Sequence, residues 1–281
     1  DSVMASARAG EPDRYLAALL ARPAARDGLL ALAAFSAELG RIPHLVTREP
    51  MMGEVRLQWW RDAIERGAGP GGADVRTGHP VADALHEARI RHELPVSLLL
   101  GIIDARASEL AAEPFADEDS LTAYFAGSEA ALFNLAARVT GARLQPGLEH
   151  ACNSAGHAYG LTRLLLGIPR AVAAGRMPLP PGRLARAGLT SRQILSGPGA
   201  GEVAALMRDL HADVRQTLEA ALQHVAKLPR ISRVAFLPLA LVGPYLRALG
   251  RPGRHALQEV ADVAPLQRVW SIARAHWLGR M

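Results

Sequence analysis

Two carboxylates four residues apart on a helix face the same way, and together they can hold Mg²⁺ against a diphosphate. The chain offers four such pairs: Asp83/Glu87, Glu109/Glu113, Glu113/Asp117 and Asp209/Asp213, the last a literal D-x-x-x-D. Among 27 acidic residues in a helix-rich sequence such pairs also arise by chance. Each alone therefore reads as a solvated helix face. His150, Cys152 and His157 form the other candidate cluster. His150 and His157 share a helix face, but Cys152 points elsewhere, so no zinc ligand set is complete. A single cysteine also excludes an intrachain disulfide. No glycine cluster sits between a strand and a helix to cradle phosphate, and no nucleophile–base pair stands out.

The elements that must position these residues are helices. The 281 residues are 49% hydrophobic, 21% charged and 5% aromatic, and Ala and Leu dominate. That composition excludes a disordered chain and favours helix over strand. Apolar periodicity and Gly/Pro punctuation predict helices from Asp13 to Leu20, Arg26 to Arg41, Met51 to Arg66, Pro80 to Arg91, Pro95 to Ala112, a Ser120-capped one to Thr140, Gly147 to Gly167, Gly201 to Leu228, Ser232 to Leu249 and Ala256 to Leu278. Gly67 to Gly72 reads as a loop and Pro178 to Pro181 as an extended turn. The expectation is one all-α domain over 1–281. No run reaches the roughly 18 to 20 apolar residues that span a bilayer. The N-terminus carries no signal-peptide stretch. A cytoplasmic protein, peripheral at most to an inner membrane, is expected. The net charge is +5, with Lys227 the lone lysine among 32 cations. A basic balance points to anionic partners, or simply to a GC-rich coding bias. The arginines are spread over all the helices and aromatics are few, so no nucleic-acid partner is expected.

The segment Gly160 to Pro180, GLTRLLLGIPRAVAAGRMPLP, resembles the stretch in squalene and phytoene synthases that reads Q-L-T-N-I-L-R-D-V-x-E-D and then G-R-x-Y-L-P. Leu161, Thr162, Gly175, Arg176, Leu179 and Pro180 stand where that family has them. Asp13-Arg14-Tyr15 resembles the start of the family's first helix, and Tyr124 to Leu132, with Ala126-Gly127-Ser128, its Y-x-x-x-V-A-G-x-x-G helix. The resemblance implies an isoprenoid-synthase-type helical bundle around a central cleft.

It also brings out departures. Active members carry two aspartate-rich motifs that face each other and hold Mg²⁺ on a prenyl diphosphate. The aligned positions here are Gly40 and His44 in the first motif, and Gly167 and Ala171 in the second. The Asn position of the second motif is Arg163, its Glu position Arg170. Mg²⁺ wants hard oxygen ligands, and a rim of arginines repels it. No metal cofactor and no catalytic residue are therefore expected. Arg41, Arg163, Arg170 and Tyr124 become candidates for an anion- or ligand-binding cleft, since guanidinium matches phosphate.

The run GEVRLQWWRDAI from Gly53 to Ile64, with His79-Pro80-Val81 and Ile103-Asp104-Ala105-Arg106, resembles synthase-like proteins related to mitochondrial complex I assembly factors. This implies a pseudoenzyme with a protein partner in respiratory-complex assembly. Gln58, Trp59, Trp60 and Arg61 are the candidate partner surface. Adjacent tryptophans face different ways, so one belongs to the core and the other to a groove or partner face. The alternatives are a prenyl-diphosphate transferase with an altered site, or a metal-independent isoprenoid or lipid binder.

Overall fold

The computed structural model describes residues 2–45, 50–69, 72, 76–111, 113, 115–142, 145–197 and 199–279, with backbone alone at 44, 45, 50 and 200. Helix follows helix: α1 (Ser2–Gly10), α2 (Pro12–Leu19), α3 (Pro23–Leu45), α4 (Pro50–Ala68), α5 (Pro80–His92), α6 (Val96–Ser108), α7 (Glu118–Phe125), a π turn (Ala126–Ala130), α8 (Ala131–Val139) and α9 (Leu148–Ala173). Then come α10 (Pro181–Arg186), α11 (Ser191–Ser196), α12 (Ala200–Val225), a 3₁₀ segment (Ser232–Leu241), α13 (Val242–Leu249) and α14 (Pro265–Leu278). Among the described residues there is no strand. Prolines open α2, α5, α10 and α14, where a missing N–H is harmless.

α3 is the central helix, carrying Phe35 and Leu39 fully buried. α1, α2 and α5 pack on it from outside, and α8 links it to α9. α9 and α12, each 26 residues, lie along one another. Phe133 stacks on Phe236 at 5.3 Å and meets Tyr159 edge-on at 5.9 Å. These rings join α8, the 3₁₀ segment and α9 in one core.

Several boundaries differ from the sequence expectation, each for a local reason. The six-residue helices α10 and α11 are too short to carry a hydrophobic period, and α1, SVMASARAG, holds too few large apolar residues to mark one. The cap of α7 is Asp117, not Ser120, which is the third residue of its capping box. α9 runs through Pro169 to Ala173 rather than stopping at Gly167. It ends where Gly175 takes φ +71°. There Gly175 N–H returns to the Val172 carbonyl and Arg176 N–H to Ala171, at 2.9 and 2.8 Å. This is a left-handed glycine C-cap, so the Gly-Arg pair of the G-R-x-x-L-P turn terminates the helix and turns Arg176 back. The 3₁₀ segment forms where Pro238 interrupts helical hydrogen bonding. The last helix begins at Pro265 instead of Ala256. Of the expected Gly67 to Gly72 loop, residues 67 and 68 are helical in α4, and 70 and 71 lie outside the described residues.

The π turn adds one residue to the α7–α8 helix and pushes it toward α9. Gly156 makes the approach possible: a Cβ there would meet the Ala130 backbone at 2.5 Å. Gly160 does the same for the Phe125 ring, also at 2.5 Å. Gly156→Ala is expected to lower unfolding stability by about 1–3 kcal/mol through overpacking against backbone. In the same helix Gly167 faces open space, and Gly167→Ala is expected to gain up to about 1 kcal/mol. Urea midpoints of the two variants, compared with the parent, check both signs.

Candidate functional site

α3, α6, the π turn and α9 enclose a cleft of about 190 Å³. Gly40, Gly167 and Ala171 line it, so three of the four positions aligned with the family's aspartates share one cavity. His44 is the fourth, and its side chain lies outside the described residues. A Cβ at Gly40 or Gly167 would meet nothing within 4 Å.

The inner wall of the cleft is ionic. Glu129, brought in by the π turn, is 2% exposed. Arg14 of α2 donates to its Oε2, and Arg106 Nη2 and Arg163 Nε stand 3.5 and 3.9 Å from its Oε1. Glu11 is 1% exposed and accepts from Arg163 Nη1 and from Ser36 Oγ, the latter at 2.8 Å. Arg14 Nε lies 3.5 Å from the same Glu11 carboxylate. At the outer end of α6, Glu109 Oε1 accepts from Arg106 Nη1 and from the Tyr124 hydroxyl, both at 2.5 Å. Three carboxylates therefore match three guanidinium groups, and the network is formally neutral.

Burial pushes the Glu129 carboxyl up, but Arg163, Arg14 and Arg106 outweigh it and hold it at about 2, below its ordinary 4.5. Burial pulls Arg163 down, and Glu11 and Glu129 more than reverse this, leaving it well above its ordinary value. Tyr124 is raised by burial first, then by Glu109 and Glu129, although Arg106 opposes. It is a neutral phenol and a hydrogen-bond donor. The network is braced from below. The Arg14 guanidinium lies over the Phe133 ring, 4.7 Å from its centroid. Next door, Asp13 accepts from Tyr159 at 2.8 Å and Tyr245 at 3.0 Å, with Arg268 3.0 Å away.

The proposed anion cleft is only partly assembled. Arg163 and Tyr124 line the cavity; Arg41 and Arg170 do not. Arg41 is exposed and pairs with Glu38 at 3.3 Å on the outer surface of α3. Arg170, two turns beyond Arg163, is exposed. Arg163 itself has its charge taken up by Glu11 and Glu129. Sequence reasoning missed Glu11, Arg14, Arg106, Glu129 and Arg176 as site residues, and read Glu109 only as part of a solvated helix face. The available signal was a charge inside an apolar helix, as with Arg106 in VSLLLGIIDARAS. Arg176 lines the cleft, and its Nη1 donates to the Glu109 carbonyl at 2.7 Å.

The paired carboxylates go to separate structural tasks. Asp83 accepts from Thr77 N–H and hydroxyl, at 2.7 and 2.8 Å. Glu87 pairs with Arg76, and Asp209 lies 3.7 Å from Arg186. Asp213 is held below the ordinary carboxylate range by His157 and by Arg183, the latter at 2.8 Å. Cys152 is buried, and burial pushes its thiol up to about 12. Among the described residues no three His, Cys, Asp or Glu side chains gather as a metal ligand set.

The candidate partner surface divides. Trp60 is core, 5% exposed and edge-on to Phe35 at 5.2 Å, which corrects its assignment to a surface. Trp59 is 37% exposed and rests on His79 at 5.3 Å. Gln58 donates to Asp62 at 2.6 Å, and Arg61 pairs with Asp104 at 2.6 Å. Met51, Met52 and Val55 continue the exposed face from Trp59 along α4.

The squalene/phytoene synthase family model matches residues 7–270. Complex I assembly factor 6 of Rattus norvegicus is 26% identical over 239 residues, covering 85% of this chain and 70% of that protein. The Bos taurus protein of the same name is 26% identical over 235 residues, covering 84% and 69%. Among solved structures, squalene synthase HpnC from Alicyclobacillus acidocaldarius superposes with TM-score 0.74 at 16% identity, over 88% of this chain and 91% of that one. A dehydrosqualene synthase in complex with ligand gives 0.77 at 14% identity, over 99% and 95%. At such identities the likeness is one of fold.

Glu129→Gln is expected to cost about 3 kcal/mol or more, because it leaves buried guanidinium charge unmatched. The pH dependence follows from the lowered carboxyl of Glu129. Its contribution is complete above pH 4.5 and is lost as pH falls toward about 2. Denaturant melts between pH 6 and 2.5 check this: the parent's stability falls more steeply on acidification than the variant's.

Proposed function

The chain belongs to the squalene/phytoene synthase family, and we propose that within it this protein performs no prenyl transfer and acts as a binding protein in respiratory complex I assembly. The observation that carries the reading is the closed Glu11–Arg14–Glu129–Arg163–Arg106–Glu109 network at the cleft wall. Prenyl transfer begins with departure of a diphosphate, whose charge must be taken up as it develops. Here each carboxylate of the network is committed to arginine, and Gly40, Gly167 and Ala171 offer no oxygen ligand. Arg163 stands where the alignment has an Asn. It donates to Glu11 and stands 3.9 Å from Glu129 across the space, acting as a fixed internal counter-ion.

The assembly role is supported by the likeness to proteins named complex I assembly factor 6. The partner face proposed for it is the outer stripe of α4. Met51, Val55 and Trp59 recur every four residues and are 74%, 58% and 37% exposed. This is an apolar helix face of the sort that seats against another protein. Peripheral contact with a bilayer fits α14, which leaves Leu266, Trp270 and Trp277 exposed on one face. No helix among the described residues is long and apolar enough to cross a membrane. A metal-independent lipid or isoprenoid binder is the second reading. Arg176 favours it, as a cleft arginine whose bonded partner is a backbone carbonyl.

Two measurements test the proposal. Purified protein with farnesyl diphosphate and Mg²⁺ is expected to release no diphosphate, and turnover near 1 s⁻¹, on the order of ordinary enzymes, overturns it. In cells lacking the native gene, the parent chain is expected to restore complex I assembly. Val55→Asp with Trp59→Ala is expected to reduce that rescue about tenfold at unchanged protein level, and full rescue by the double variant removes α4 as the partner face.

A further inference from the structure

A second cavity, of about 900 Å³, opens between α12 and the α13 end of the chain and shares no lining residue with the cleft. Arg208 and Arg215 reach it from one face of α12, Arg247 from the last turn of α13, and Arg251 and Arg254 from the segment that follows. No acidic side chain lines it. Arg208, Arg215, Arg247 and Arg251 pair with no carboxylate among the described residues, and all four converge on this one groove.

The floor holds a more pointed sign. His211 is 8% exposed and lines the cavity, and its Nε2 has no hydrogen-bond partner. A buried donor left open costs about 1–3 kcal/mol unless something from outside completes it. Arg254 is fixed beside it by donating to the Leu249 and Glu259 carbonyls. The Nε of Arg254 is likewise buried and open. Burial first, then Arg215 and Arg254, pull His211 below its ordinary value, so the ring is neutral at pH 7 and, when the proton sits on Nε2, offers one donor. Met207, Leu218 and Leu257 supply apolar wall between the charges.

Four guanidinium groups without an ion-pair partner, in a groove that no acid lines, suit a ligand that is only acceptor and carries more than one negative charge. We propose that this groove binds a phosphate group, with Arg208, Arg247 and Arg251 supplying charge-assisted hydrogen bonds and His211 Nε2–H fixing its depth. The chemistry is shared by a free phosphate compound and a phospholipid headgroup, and the apolar wall leaves room for the latter's glycerol and chain ends.

The test uses the full chain and two probes. Inorganic pyrophosphate is titrated calorimetrically, and vesicles of phosphatidylglycerol in phosphatidylcholine are assayed by flotation against pure phosphatidylcholine. The variant is Arg208→Ala/Arg247→Ala/Arg251→Ala. Its control, Arg22→Ala/Arg230→Ala/Arg274→Ala, removes the same formal charge from exposed positions outside the groove. At least one probe is expected to bind the parent, to weaken about tenfold or more in the groove variant, and to weaken far less in the control. His211→Phe, which keeps the ring volume, is expected to weaken the same probe several-fold. Pyrophosphate binding assigns a free phosphate ligand, and binding to anionic vesicles alone assigns a lipid headgroup. Failure of both probes, or equal losses in groove variant and control, overturns the proposal.

Discussion

Burying Glu129 is the constraint around which the centre of this molecule is arranged. A lone carboxylate at that depth would be intolerable, and three guanidinium groups converge from α2, α6 and α9 to make it acceptable. Each of those arginines must in turn be satisfied, which brings in Glu11, Glu109, Ser36 and Tyr124. The aromatic floor under Arg14 and the Asp13–Tyr159–Tyr245 bonds then hold α2 against α9 and α13. The helices are thus positioned by polar matching as much as by apolar packing. The cleft between α3 and α9 is partly closed from within by this network.

Much of the architecture was legible because Ala- and Leu-rich periodicity extends over long helices. The 26-residue α9 and α12 repeat their apolar face many times, and chance is averaged out. The shortest elements give no such average, which is why the six-residue α10 and α11 went unread. The π turn is invisible for a different reason. Its close approach to α9 depends on Gly156 and Gly160, on a helix some thirty residues away.

The site was legible in outline and not in its chemistry. Alignment placed Gly40, Gly167 and Ala171 around one space, and they do line one cavity. It marked Arg163 as a substitution and suggested a charge awaiting an anion. The anion is internal: Glu11 lies 152 positions earlier in the chain, and nothing local ties the two. The adjacent tryptophans make the same point at smaller scale. Helix geometry requires that they diverge, but packing against other helices, Phe35 of α3 among them, places Trp60 inward and leaves Trp59 out.

The π turn has a consequence for how such a protein can diverge. Its one extra residue sets the angular phase of Glu129 relative to α7, so the charge network depends on chain length there as well as on residue identity. Point substitution can tune the strength of the pairs while leaving the frame intact. A single-residue deletion between Ala126 and Ser128 would shift Glu129 by about 100° relative to α7 in one step. Insertions and deletions in this short window are therefore discontinuous events for the protein, and the spacing between Tyr124 and Ala131 is as much a part of the network as the acids and bases themselves.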